Sequence, residues 1–301
     1  MNIDRSTKVL GLIGNPVEHS PATFMHNAAF KDLGLNYAYF LFNVKEDNVK
    51  DVIPGAKALG IKGFNVTIPH KLAIMEKLDE IDPIAKLIGA VNTVDITDGI
   101  AKGYNTDAYG AVKGISEIID LTDKKVIVGG AGGASRAISF QLAISGIENL
   151  AILNRNEIKS KLLGDEIENA LKNEFINENT SFDINNNLTI KGTSIDSMEK
   201  ELKNADVLIN TTPVGMYPNI NDKPIAISSW MHSDLVVNDI VYNPLETRLL
   251  KEAKIANAKI IPGTKMLVYQ GAVSFEIWTG HVPSIDVMEK AVMEQLTKKQ
   301  G

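Results

Sequence analysis

The chain of 301 residues contains no cysteine, which excludes disulfide frameworks, thiolate nucleophiles, zinc–thiolate sites and iron–sulfur clusters. That absence fits a reducing compartment, and a cytoplasmic protein is expected. No run approaches the ~18 consecutive apolar residues that would cross a bilayer, so no membrane partner is expected. The N-terminal stretch MNIDRSTKVLGLIG has no small-residue cleavage site after its short apolar run and reads as a first strand, not a signal peptide. Positive charge is not in excess: 31 Lys and Arg face 37 Asp and Glu, a formal net charge of -6. A broad polyanion-binding surface, and with it nucleic acid, is not expected, although a local basic pocket is allowed. Histidine is scarce as well. His19, His26, His70, His232 and His281 lack the spacing of a helical metal pair, and no metal site is expected. What is present is ordinary globular material, 44% hydrophobic and 23% charged, too apolar for disorder to be the main state.

Short apolar runs alternate with helical patterns from end to end, which predicts an α/β fold built of βα units with a largely parallel sheet. In the first half, strands are expected at Val9–Ile13, Tyr37–Val44, Gly63–Thr67, Ala90–Asp95 and Ile100–Tyr104, with helices near Ala22–Leu33, Glu46–Leu59 and His70–Leu78. The Asp98-Gly99 pair between two of these strands predicts a tight hairpin. A helix beginning near Ala108 leads to a second series, with strands at Lys125–Val128, Leu150–Leu153, Leu188–Lys191, Val207–Asn210, Leu235–Ile240 and Lys259–Ile261. Between Asp165 and Leu188 the chain turns Asn-rich and reads as a helix end followed by an exposed loop. From Met266 onward it reads as helical.

The segment KKVIVGGAGGASRA places Gly129, Gly130, Gly132 and Gly133 directly after an apolar strand and at the start of a helical pattern. Glycines there let the backbone turn tightly and approach a pyrophosphate, whose charge sits at the helix N-terminus. About 20 residues on, NAD-specific folds carry an acid for the ribose 2′-hydroxyl. Here the strand ends in Asn154-Arg155-Asn156 with Lys159 beyond: two cations and no carboxylate. Either cation alone reads equally as a solvated helix charge. Together with the glycine loop they favour NADP, because a guanidinium binds a 2′-phosphate bidentately. Downstream, Thr211, Thr212, Pro213 and Gly215 in VLINTTPVGM suit a crevice wall or, equally, a loop with capping threonines.

The first half carries polar, mostly uncharged clusters at expected strand ends: Asn65 and Thr67 in GFNVTIPHK, Asn92 and Thr93 in GAVNTV, Asn105, Thr106 and Asp107 in GYNTD. Such residues suit a polyhydroxylated small molecule, since each hydroxyl needs an oriented donor and acceptor. Capping and turn closure account for single instances but less well for three clusters. Lys71, expected at a helix start, would be electrostatically misplaced beside the positive end of the macrodipole. Asp107 lies just before a helix, where it is open to reading as an N-cap. Paired, a lysine and an aspartate near a substrate hydroxyl can shuttle a proton.

Nine segments in order, GNPVEHS…MHNAAF, GFNVTIPHK, GAVNTV, GYNTDAYG, GGAGGASRA, NRNEIK, NTTPVGM, DIVYNPLET and PGTKMLVYQGA, make the chain similar to the shikimate dehydrogenase family over nearly its whole length. The resemblance implies reversible NADPH-dependent reduction of 3-dehydroshikimate to shikimate, with Lys71 and Asp107 as the catalytic pair. It implies that Ser20, Thr67, Asn92, Tyr242 and Gln270 hold substrate, with Asn65 beside them. It assigns the cofactor to Gly130, Ala131, Gly132, Gly133, Ala134 and Ser135, then Asn154, Arg155, Asn156 and Lys159, with Thr211, Thr212, Met216, Ile240 and Gly263. The family's second carboxylate-binding serine is here Ala22, followed by Thr23; losing one hydrogen bond to a charged group costs ~1.5–3 kcal/mol. The implied architecture is an N-terminal α/β substrate domain over 1–107, completed by 263–301, and a Rossmann-type NADP-binding domain over 108–262, the two flanking a cleft. A homodimer is expected only because most soluble oligomers are symmetric pairs. A quinate/shikimate dehydrogenase of broader specificity and an inactive NADP-binding sensor are the alternatives.

Overall fold

A computed structural model describes residues 3–172 and 182–298. The expected Asn-rich loop falls partly on 173–181, outside the described residues. The chain divides into two compact units, Met1–Gly110 with Val268–Gly301, and Ala111–Leu267.

The first unit is built on a six-stranded sheet of order β2-β1-β3-β5-β6-β4. Its strands are β1 (Lys8–Gly14), β2 (Tyr37–Asn43), β3 (Gly63–Val66), β4 (Glu80–Ile81), β5 (Thr93–Thr97) and β6 (Ile100–Tyr104). Parallel pairing holds for β1 with β2 and β3, but β5 runs antiparallel to both β3 and β6. The sheet is therefore mixed, where a largely parallel one was expected. The hairpin between β5 and β6 turns on Asp98 and Gly99, at φ 52° and 79°, the left-handed pair that a two-residue turn requires.

Helices α1 (Ala22–Asp32), α2 (Val52–Leu59), α3 (Pro83–Ile88) and α4 (Thr106–Ser116) follow the expected order with two corrections. The helix expected from Glu46 is split, a 3₁₀ turn at Glu46–Asp51 preceding α2. Pro54, lacking an N–H, is tolerated only in a first turn, and α2 starts where that condition is met. The helix expected over His70–Leu78 shrinks to a 3₁₀ turn at Ala73–Lys77. Pro69 disfavours helical geometry at Ile68, and the Lys71 carbonyl is taken by the Val91 N–H at 3.0 Å instead of closing a helical turn. Unanticipated α3 is capped by Asp82, whose carboxylate accepts from the Ile84 N–H at 3.0 Å, with Pro83 as its first residue. Phe64, Val66, Ile74 and Val94 form the core on one side. Elsewhere in the unit, His26 stacks on Tyr39 with ring centres 4.4 Å apart, beside Phe275 and Trp278.

The second unit contains a parallel sheet of order β12-β11-β10-β7-β8-β9. The strands are β7 (Lys125–Gly129), β8 (Asn149–Asn154), β9 (Thr189–Ser194), β10 (Val207–Asn210), β11 (Val236–Asp239) and β12 (Lys259–Ile261). Between them run α5 (Gly133–Ala143), α6 (Glu157–Lys172), α7 (Met198–Leu202) and α8 (Arg248–Ile255). The order reverses between β7 and β10, the switch point at which doubly wound sheets open a crevice beyond their carboxyl ends. Leu153, Leu208, Val237 and Leu250 belong to its core. The chain closes with α9 (Gly263–Thr279) and α10 (Ile285–Lys298), the latter packed on α1. Among the described residues no helix is long and apolar enough to cross a membrane.

Candidate functional site

In the first unit the structure brings Lys71 and Asp107 together. Lys71 Nζ donates to Asp107 Oδ2 at 2.5 Å, with the two side chains 32% and 19% exposed. Lys71 sits in the turn that leaves β3, not at a helix N-terminus as expected, so its placement beside a carboxylate is what marks it. Asp107 is not the cap of α4; Asn105 Oδ1 accepts the Ala108 N–H at 3.3 Å. Relieved of capping, the Asp107 carboxylate lies in the first helical turn, where the macrodipole favours negative charge, and faces the lysine. An ammonium held by one carboxylate and partly open to solvent is equipped to give and take a proton.

Behind this pair lies a buried polar network. Tyr39 Oη donates to Asn65 Oδ1 at 2.7 Å, and Asn65 Nδ2 reaches Thr93 Oγ1 and Ser274 Oγ, both at 2.9 Å, and the Asn92 carbonyl at 3.3 Å. Asn92 Oδ1 accepts the Thr106 N–H at 2.7 Å, while its Nδ2 donates to Thr106 Oγ1 at 3.0 Å. Every polar atom of the Asn65 side chain is thus engaged inside the protein, whereas the Asn92 amide meets one acceptor among the described residues and keeps its second hydrogen. Gln270 lies half-buried on α9. A Cβ at Gly110 would fall 2.5 Å from the Gln270 nitrogen, so that glycine permits the close approach of α4. Thr67 is half-buried, its N–H donating to the Ile13 carbonyl at 2.9 Å. At the start of α1, Ser20 Oγ accepts the Ala22 N–H at 3.3 Å, and the buried Thr23 hydroxyl has no hydrogen-bond partner among the described residues. Tyr39 and Ser274 were not anticipated: their role depends on contacts distant in sequence, 26 and 209 residues from Asn65.

In the second unit a cleft of about 1060 Å³ opens at the switch point. Of the residues expected at a cofactor, Gly130, Ala131, Gly132, Asn154, Arg155, Asn156, Lys159, Thr211 and Thr212 line it. Gly130 adopts φ 119°, and a Cβ there would fall 2.5 Å from Thr211 Oγ1, so glycine is required. Ser135, fully buried, donates to the Gly130 carbonyl at 2.7 Å and braces the loop from behind. Gly133 opens α5 and lines a neighbouring hollow with Arg136, while Ala134, Met216, Ile240 and Gly263 do not line the cleft. Ile240 and Gly263 meet each other, since a Cβ on Gly263 would lie 2.5 Å from the Ile240 carbonyl oxygen. Tyr242 is exposed beyond β11. Lys223, Ile225 and Trp230 also line the cleft, from a segment without periodic pattern that gave no sequence signal.

This cleft suits a phosphorylated dinucleotide. Its volume is at the upper end of ligand pockets, about 300–1,000 Å³. The Gly132 cap of the 11-residue α5 contributes no side-chain bond, leaving the first N–H groups facing outward as an anion site. Asn156 Oδ1 caps α6 through the Ile158 N–H at 3.1 Å. Neither Arg155 nor Lys159 forms an ion pair among the described residues, so both are available to a phosphate.

A family profile described as the shikimate dehydrogenase substrate binding domain matches residues 12–94, and one described as the shikimate 5′-dehydrogenase C-terminal domain matches residues 263–293. A curated relative from Methanobrevibacter smithii, named shikimate dehydrogenase (NADP(+)), is 55% identical over 98% of this chain and 99% of its own. The chain belongs to the shikimate dehydrogenase family. A crystal structure of a shikimate dehydrogenase in complex with NADP+ matches at TM-score 0.87 and 51% identity, covering 98% of each chain. A second, from Listeria monocytogenes in complex with shikimate and NAD, matches at TM-score 0.86 and 33% identity, covering 96% of this chain and 98% of that one. The α/β architecture expected from the alternating pattern is the one this family has, and its named members at about half identity are NADP-dependent oxidoreductases.

Proposed function

We propose that this chain catalyses the reversible NADP-dependent interconversion of shikimate and 3-dehydroshikimate, with Lys71 and Asp107 as its proton-transfer pair. The observation that carries the assignment of roles is the 2.5 Å contact between Lys71 Nζ and Asp107 Oδ2. When NADP is bound, its nicotinamide accepts or supplies the hydride at the reacting carbon. In reduction Lys71 Nζ gives a proton to the oxygen on carbon 3; in oxidation it takes that proton back. Asp107 holds Nζ in place and stabilises the ammonium. Ser20, Thr67, Asn92 and Gln270 are assigned to substrate, and Asn65 acts through Asn92, whose carbonyl it holds. The substrate domain is assigned to 1–107 with 263–301, the NADP domain to 108–262, and the cleft lined by Arg155 and Lys159 to the cofactor. A cytoplasmic location and a homodimer belong to the same reading, and are checked by fractionation and by light scattering after size exclusion.

One feature favours a second reading. Ala22 supplies no hydroxyl where the family has a serine, which loosens recognition at the carboxylate end and leaves room for quinate. Initial rates at 340 nm with shikimate and with quinate, each with NADP+ and NAD+, separate the two. Shikimate with NADP+ is expected to give the highest kcat/KM, and a preference for quinate or for NAD+ would replace the first reading by the second.

A further inference from the structure

Asp239, the last residue of β11, is completely buried, and neither ligand is expected to touch it. Its carboxylate meets no cation; no ion pair involving it occurs among the described residues, and burial pushes it up to about 6. Its neighbours are all donors. Oδ1 accepts Asn210 Nδ2 at 2.9 Å and the Val241 N–H at 3.1 Å, and Oδ2 accepts Thr247 Oγ1 at 2.7 Å. Burying a carboxylate without a counter-charge is costly, and stability alone would be served as well by apolar packing.

What the carboxylate reaches explains its presence better. Asn210 ends β10 and pairs in register with Asp239. With its amide turned toward the carboxylate, Asn210 presents Oδ1 to Thr212, accepting the Thr212 N–H at 3.0 Å and its hydroxyl at 2.7 Å. Thr212 lines the cleft. Its neighbour Thr211 donates to the Gly129 carbonyl at 2.7 Å, and so ties the same segment to the glycine loop. Were Asn210 to flip, its amide would face the Thr212 N–H, donor against donor, and the wall would be released. The Ile240 N–H, bonded to the Asn210 carbonyl at 3.1 Å, brings the loop after β11 into the same arrangement.

We propose that Asp239 is a positioning residue for the dinucleotide cleft: it fixes the orientation of Asn210, and through it the Thr211–Thr212 wall against the glycine loop. The inference rests on the assignment of this cleft to NADP. Asp239→Ala removes the acceptor, whereas Asp239→Asn keeps an oxygen toward Asn210 and Val241, because the Thr247 hydroxyl can rotate to accept the new amide.

The test is NADPH binding followed by fluorescence titration, which reads both Kd and the number of sites. Asp239→Ala is expected to raise Kd about tenfold or more, and Asp239→Asn to bring it back to within about threefold of the parent protein. Asn210→Ser, which breaks the link but leaves the carboxylate in place, is expected to move Kd in the same direction as Asp239→Ala and serves if that variant fails to fold. A residue that only supports the fold would lower Tm and the number of sites while the remaining sites keep the parent Kd; that result in Asp239→Ala or Asn210→Ser overturns the proposal. Arg155→Ala is the control for the cleft itself. An unchanged Kd there removes the cleft as the NADP site, whereas a raised Kd there with an unchanged Kd in Asp239→Ala overturns the role of Asp239 alone.

Discussion

Arg155→Ala tests cofactor choice most directly, because a 2′-phosphate is the only chemical difference between NADP and NAD. Arg155 is exposed at the end of β8, forms no ion pair among the described residues, and shares the cleft with Lys159 one helical turn on. A hydrogen bond to a charged group contributes about 1.5–3 kcal/mol, or roughly ten- to 150-fold in affinity. The guanidinium is solvated when the cleft is empty, and its removal leaves no buried group unsatisfied, so the lower part of that range applies. The expected outcome is a rise of about 10- to 30-fold in Kd for NADPH and in KM for NADP+. KM for NAD+ should stay within about twofold, since that molecule offers Arg155 no phosphate. Added salt should weaken NADPH binding more in the parent protein than in the variant, because an exposed cation is screened over about 8–10 Å. Fluorescence titration of NADPH and initial rates at 340 nm supply both numbers. An equal loss for NADP+ and NAD+ would refute the reasoning, since Arg155 would then be serving the shared part of the dinucleotide.

Lys71→Ala is expected to lower kcat by about 10²–10⁴ while shikimate binding, measured by equilibrium titration, changes only several-fold; an unchanged kcat removes Lys71 from the chemistry. Ser274→Ala takes an acceptor from Asn65 inside the buried network, at a cost of about 1–3 kcal/mol. Calorimetry should show Tm lower by several degrees with NADPH affinity unchanged, and an unaltered Tm would mean the network is not structural. His26 is held down to about 3 by burial among aromatic rings, from an ordinary 6.5. Below pH 6.5 the unfolded chain therefore binds a proton that the folded one refuses, and stability falls by up to ~1.4 kcal/mol per pH unit as the medium is acidified toward 3. Asp239, raised from 3.8 to about 6, acts with the opposite sign: its contribution is full below 3.8 and is lost as pH rises through 6. In His26→Phe the urea midpoint should thus decline from pH 4 to 6, where the parent protein shows a shallower or reversed slope; parallel profiles would contradict the assignment of His26.

The secondary structure was legible wherever a local rule decides it. The Asp98-Gly99 hairpin, the glycine loop after β7 and the two closing helices follow from turn chemistry and periodicity, and each lies where expected. The segment after β3 has a helical pattern but does not form the helix, because the Lys71 carbonyl is claimed by the Val91 N–H. The antiparallel course of β5 beside β3 was likewise hidden. Strand direction there is set by pairing between Gly63 and Asp95, and nothing within either strand announces its partner. Asp82 capping α3 was legible in principle, as an acid followed by proline, but the helix it starts is too short for periodicity to reveal.

The candidate sites divide along the same line. Residues whose part is played locally, such as the glycines at a turn or the cations following β8, could be read from their neighbours in sequence. Ser274 and Asp239 could not, because Ser274 reaches Asn65 from a helix 209 residues away and Asp239 acts through strand register. Asn65 pairs across to Thr93 in an antiparallel ladder, and Asn210 to Asp239 in a parallel one, and register partners project to the same face of a sheet. In both units, then, a buried side-chain amide is oriented by the residue opposite it on the neighbouring strand, and that orientation decides what an adjoining loop is offered: the Asn92 carbonyl, just ahead of β5, held by Asn65 in one case, the Thr212 backbone and hydroxyl, just after β10, held by Asn210 in the other. A substitution at Thr93 or Asp239 should therefore act on ligand affinity through a residue it never shares a motif with, and a double-mutant cycle between Asp239 and Thr212, which make no direct hydrogen bond, should show a coupling of about 0.5 kcal/mol or more. Strict additivity in NADPH affinity would mean that the two positions act separately and that the Asn210 bridge between them transmits nothing.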